Sequence, residues 1–122
     1  MNSTKKQSFE DYLERILMLS NQLKRPIRAI DIAHSFSYSR ASVSIALKKL
    51  EQEGYIIYKD DHVELTPEGL EIAEDTLDRH EIITEALQHM GVSKEISEED
   101  ACKIEHVISK ETFDALKRII KK

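Results

Sequence analysis

Cys102, Glu105 and His106 stand three and four residues apart, the spacing that brings side chains onto one face of a helix. A thiol, a carboxylate and an imidazole on one stripe offer S, O and N donors. That set suits a borderline transition metal such as Fe, Mn, Co or Zn better than Ca or Mg. Ala101, Ile104, Val107 and Ile108 fall on the other side of the same helix, at core spacing. Three donors do not usually close a metal site. A buried thiol beside a solvated Glu–His pair would give the same triplet, so the reading depends on further ligands elsewhere in the chain.

The elements that must position this stripe follow from composition. Of the 122 residues, 40% are hydrophobic, 34% charged and 6% aromatic, with three Gly and two Pro. These values predict long helices around a Leu/Ile core, with few turns. A single cysteine excludes an internal disulfide and fits a reducing compartment. No apolar run reaches the roughly twenty residues of a membrane span, and the opening Met1-Asn2-Ser3-Thr4-Lys5-Lys6 has no apolar core for a signal peptide. A cytoplasmic protein without a membrane partner is expected. No Gly-rich phosphate loop or nucleophile elbow is present, and the chain is not expected to be an enzyme.

Net charge is −5, which taken alone opposes nucleic acid, but its distribution does not. Residues 24–59 carry seven bases (Lys24, Arg25, Arg28, Arg40, Lys48, Lys49, Lys59) against three acids, whereas residues 60–122 carry eight bases against seventeen acids. A basic segment inside an acidic chain is the pattern of a DNA-binding part joined to something else.

Along the chain, Ser8 is placed to cap a helix reaching about Leu23, with Phe9, Tyr12, Leu13, Ile16, Leu17 and Leu19 as its buried stripe. Asp11 and Glu14 lie on another face, where such a pair reads as solvated unless folding brings it to the Cys102 helix. Helices follow over about Ala29–Phe36 and Arg40–Glu53, the second stopped by Gly54. Two β-rich runs, Tyr55–Tyr58 and Val63–Leu65, flank the polar turn 59–62 and predict a hairpin. Helix, turn, helix, hairpin is the order of a winged helix-turn-helix. In it the second helix of the turn enters the major groove. Arg28, Ser39, Arg40, Ala41, Ser42, Ser44, Lys48, Lys49 and Lys59 are then the candidates for DNA contact, with Ser39 equally suited to capping its helix.

Thr66-Pro67-Glu68-Gly69 opens a long helix to about Met90, with Thr66 as cap and Pro67 in the first turn. His80, near its middle, reads by itself as solvated or packed. Ser97 is placed to cap the Cys102 helix, and a break near Ser109-Lys110 precedes a last helix with Phe113, Leu116, Ile119 and Ile120. The core of this second half is thin, so a second subunit is expected to complete it. The expected fold is mainly α with a small β-hairpin wing: a winged helix-turn-helix DNA-binding domain at 1–66 and a helical metal-binding and dimerisation domain at 67–122.

Glu10-Asp11-Tyr12-Leu13-Glu14, Ser42-Val43-Ser44, Leu65-Thr66-Pro67-Glu68-Gly69, Arg79-His80-Glu81 and Glu105-His106-Val107-Ile108-Ser109 occur in this order. With them the sequence resembles, over roughly residues 8–120, the diphtheria toxin repressor family of metal-dependent transcriptional regulators. The match is to short members without the SH3-like domain, such as the manganese transport regulators. The resemblance implies a metal-dependent repressor binding double-stranded operator DNA as a homodimer, with Asp11, Glu14, His80, Cys102, Glu105 and His106 as ligands of one or two metal ions per subunit. Asp11 and Glu14 match the family's manganese pattern and Cys102 its iron pattern. Fe²⁺ is the first expectation and Mn²⁺ the second, because a thiolate favours iron. Thr84 and Glu98 depart from the family's accessory ligands, and Arg40 from the proline usual at the start of the recognition helix. A different class of function, a winged-helix regulator answering to an organic ligand or to oxidation of Cys102, predicts protein purified without metal.

Overall fold

The computed structural model describes the backbone of residues 3–120 and the side chains of residues 8–120, in an N-terminal unit ending at Glu74 and a C-terminal unit from Asp75. The N-terminal unit is built from α1 (Ser3–Leu23), β1 (Ile27–Arg28), α2 (Ala29–Phe36), α3 (Arg40–Gln52), β2 (Ile56–Lys59), β3 (His62–Leu65) and the start of α4 (Pro67–His89). Its core gathers Leu13 and Ile16 from α1, Ile32 from α2, Val43, Leu47 and Leu50 from α3, and Ile27, Ile56 and Val63 from the sheet, all 3% exposed or less. The apolar stripe predicted for the first helix therefore meets apolar residues of α2, α3 and the sheet. On α3, Ala46 packs on the core while Ile45 is 58% exposed.

Local sequence explains the joints. Ser37, at φ 60°, closes α2, with its N–H bonded to the carbonyl of His34 and that of Tyr38 to the carbonyl of Ala33. This is the left-handed cap usually made by glycine. Ser39 opens α3, its hydroxyl accepting from the Ser42 N–H at 3.1 Å. Thr66 ties the strands to α4: its hydroxyl donates to the Gly54 carbonyl (2.7 Å) and accepts from the Gly69 N–H (3.1 Å). Gly69 is required here, because a Cβ would stand 1.9 Å from the Tyr55 carbonyl oxygen.

Four sequence expectations need correction. Ser8 does not cap α1, which begins at Ser3. Thr4-Lys5-Lys6-Gln7 contains no residue that breaks a helix, so the helix extends through the residues ahead of Ser8; Met1 and Asn2 lie outside the described residues. The wing's turn is only Asp60-Asp61, both at positive φ (52° and 64°), the geometry of a two-residue hairpin loop. The sheet has a third strand, β1, in the order β1-β3-β2. Two residues with a proline before them are too short to show alternation. In the C-terminal unit, Ser93 rather than Ser97 caps α5 (Lys94–Ile104), accepting from the Ile96 N–H, and Ser97 is buried inside the helix.

The C-terminal unit continues α4 and adds α5 and α6 (Lys110–Ile120). Ile82, Ile83, Ala86 and Ala101 are buried, but α6 buries no residue, and Met90, Val107 and Ile119 are each at least 70% exposed. The core of this unit is as thin as its sequence suggested. Among the described residues no helix is long and apolar enough to cross a membrane.

Candidate metal centre

Helix α5 ends at Ile104, with Glu105 as its C-cap at φ −58°, ψ −24° and His106 in the turn that follows. Glu105 keeps near-helical dihedrals, so the spacing from Cys102 still turns both side chains one way. Val107 is past that point, and at 75% exposed it is not the core residue expected.

His80 on α4 meets this corner. Its Nδ1 donates to Glu105 Oε2 at 3.0 Å and lies 3.9 Å from Cys102 Sγ. All three donor atoms lie within 4.8 Å of one another. Ligand atoms around one ion with bonds of about 2.0–2.3 Å sit roughly 3–3.6 Å apart, so only the sulfur has to move closer. Glu105 is 1% exposed, and its other oxygen, Oε1, lies 3.4 Å from Nε2 of His106, whose side chain is 2% exposed. A buried carboxylate is thus held between two imidazoles, while Cys102 stays exposed at the mouth.

Electrostatics agree with a cation site. Hydrogen bonding to Cys102 and then to Glu105, against the opposing effect of burial, pushes His80 up to about 10 from its ordinary 6.5. The three donors already compete for one positive charge, a proton on Nδ1. An S, N, O set around a dry carboxylate fits Fe²⁺ or Mn²⁺, and exchanging the proton for the ion is the step that loads such a site.

Of the six predicted ligands the structure brings His80, Cys102, Glu105 and His106 into one corner of the C-terminal unit. Asp11 and Glu14 lie on α1 in the N-terminal unit, and neither is the solvated residue that spacing alone suggested: Asp11 is half-buried and Glu14 is 7% exposed. Thr84, one turn after His80, buries its hydroxyl oxygen without a hydrogen bond among the described residues. A neutral hydroxyl there supplies no charge for a second ion.

The DNA-contact candidates form the outer surface of the N-terminal unit. Arg28, Ser39, Arg40, Ala41, Ser42, Lys48, Lys49 and Lys59 are exposed and Ser44 is half-buried. Ser39 is occupied as the cap of α3 and also donates to the Ser42 hydroxyl (3.0 Å). Asp31 is taken up by a two-bond pair with Arg25 (2.8 and 2.9 Å), which holds its carboxyl below the ordinary range. One residue escaped the sequence reading. His62 is registered against both Arg28 and Lys59, and cross-strand partners share a face, so the three make a basic row across the sheet. Only the strand β1, invisible in the sequence, aligns them.

Known proteins show the same organisation. The family model for the iron dependent repressor N-terminal DNA binding domain matches residues 6–63, and that for the iron dependent repressor metal binding and dimerisation domain matches residues 66–122. The chain is 36% identical over 118 residues to a helix-turn-helix-type transcriptional regulator of Methanocaldococcus jannaschii, covering 95% of this chain and 94% of that one. It is 36% identical over 112 residues to the transcriptional regulator MntR of Salmonella typhimurium, covering 91% and 71%. Among solved structures, the manganese regulator SloR superposes with a TM-score of 0.81 at 29% identity, and ScaR with bound Zn²⁺ with 0.76 at 28%. The match takes in 93% of this chain but only 53% of either of those, so the chain spans about half their length. The chain belongs to the iron-dependent repressor family of metal-dependent transcriptional repressors.

Proposed function

We propose that this protein is a cytoplasmic homodimeric repressor whose affinity for double-stranded operator DNA is raised by Fe²⁺ or Mn²⁺, and that it controls genes of metal homeostasis. The single observation that carries the reading is the convergence of His80, Cys102 and Glu105 donor atoms within 4.8 Å. His106 secures Glu105, and Asp11 and Glu14 add two carboxylates from α1, a helix of the DNA-binding part. A bound divalent ion supplies the positive charge that lets these anionic groups share one centre. Residues 1–66 then act as the DNA-reading part and residues 67–122 as the metal-binding and dimerising part. The exposed Met90, Val107 and Ile119 supply apolar surface for a second copy.

On the DNA side, Arg40, Ala41, Ser42 and Ser44 face base edges. Arg28, Lys48, Lys49 and Lys59, joined by His62, face phosphates. Ser39 orders the helix and contributes mainly as its cap. The chain works as a regulator and not as an enzyme. Fe²⁺ is favoured by the thiolate, while the carboxylates take Mn²⁺ equally well.

Anaerobic titration of selected operator DNA, followed by fluorescence anisotropy, tests this. A coupling of about 1–3 kcal/mol predicts roughly 5–150-fold tighter binding with metal. Affinity unchanged by either ion would overturn the reading.

A further inference from the structure

Helix α1 is tied to the turn of the helix-turn-helix by a cluster that neither the metal site nor the DNA surface uses. Tyr12, 6% exposed on α1, packs its ring against Phe36 (centroids 5.2 Å apart) and Tyr38 (6.3 Å). Phe36 and Tyr38 stack nearly parallel, 4.8 Å apart at 13°. From the next turn of α1, the Arg15 guanidinium lies 4.5 Å over the Phe36 ring and donates to both the carbonyl and the hydroxyl oxygen of Ser35.

What this cluster grips is a short joint. Ser37 closes α2 and Ser39 opens α3, so Tyr38 is the one residue between the two caps. Tyr38 is 51% exposed, yet its ring packs on the two rings behind it. Holding Tyr38 therefore sets where the recognition helix α3 begins. On α1, Asp11 adjoins Tyr12 and Glu14 adjoins Arg15. Since α1 is an unbroken helix over Ser3–Leu23, any shift or rotation imposed at 11 and 14 is delivered to 12 and 15 as well.

The geometry points to Tyr12, Arg15, Phe36 and Tyr38 as positioning residues that pass metal occupancy at α1 to the first turn of the recognition helix. This rests on the reading that Asp11 and Glu14 join the metal site. The cluster has the parts such a link needs. It offers one rigid element carrying ligands, a packed contact with two bonds and three rings, and a single-residue joint ahead of the DNA-reading helix. None of these side chains has to touch metal or a base to act.

The test is the ratio of operator affinity with and without Mn²⁺, measured for the full chain and for Tyr38→Ser, Tyr38→Phe and Arg15→Met. Aromatic stacking of this kind predicts that the ratio falls about two- to tenfold in Tyr38→Ser. It should be restored in Tyr38→Phe, which keeps the ring, and fall also in Arg15→Met. Mn²⁺ affinity without DNA should stay within about twofold of the parent, since coupling is shared only when both ligands bind. If Tyr38→Ser lowers affinity equally with and without metal, Tyr38 is a plain DNA contact and the inference fails. If the unsubstituted chain itself shows no metal dependence, the functional reading fails first.

Discussion

The proton on His80 makes metal binding depend on pH in a calculable way. In the metal-free protein the imidazole is flanked by Glu105 Oε2 at 3.0 Å and Cys102 Sγ at 3.9 Å and is pushed up to about 10. At pH 7 an ion that takes Nδ1 must displace a proton bound three pH units more tightly than the solvent supplies. That costs about 4 kcal/mol, roughly a thousandfold in apparent affinity. Between pH 6.5 and 8.5 the apparent Mn²⁺ affinity should therefore rise about tenfold per pH unit. Isothermal titration in two buffers of different ionisation enthalpy should show at least one proton released per ion at pH 7. A dissociation constant flat across this range, with no buffer-dependent heat, would show that His80 is not a ligand through Nδ1 and refute the reasoning.

Three further outcomes follow from the same coordinates. In the metal-free protein, His80's folded-state value lies above its unfolded one, so its contribution to stability is complete below pH about 6.5 and is lost as pH rises through about 10; the urea midpoint should fall from pH 6 to pH 10, and a rise would contradict the pairing with Glu105. Gly69→Ala drives a methyl group into the Tyr55 carbonyl and should cost about 1–3 kcal/mol by urea titration, with unchanged stability as the contrary result. Leu47→Ala empties a fully buried position on α3 and should cost about 2–5 kcal/mol, read by the same titration; a loss under about 1 kcal/mol would contradict the close packing of this core.

Periodicity was enough to find the helices, because residues that start or stop a helix mark several of their bounds: Ser37 closes α2, Gly54 follows α3 and Thr66-Pro67 opens α4. Where the reading failed, the signal was shared between candidates. Ser93 and Ser97 are both serines ahead of acidic residues, and only the backbone decides that the first accepts the Ile96 N–H while the second is buried. The strand β1 has no periodicity to read in two residues, so the Arg28–His62–Lys59 row stayed hidden. The shared direction of Cys102 and Glu105 was legible because Glu105 keeps near-helical dihedrals just past the helix end. His80 was not, since one histidine on an acid-rich helix has no local mark of its partner 25 residues away; family resemblance supplied it, and the 3.0 Å contact to Glu105 gives the physical reason.

X-ray absorption at the metal edge of protein loaded anaerobically with Fe²⁺ addresses the shared centre most directly. One sulfur scatterer from Cys102, at about 2.3 Å if its bond matches other metal thiolates, together with imidazole scattering from His80, is the predicted shell, and Cys102→Ser should remove the sulfur alone. A shell of light oxygen donors, identical in the parent and in Cys102→Ser, would contradict it.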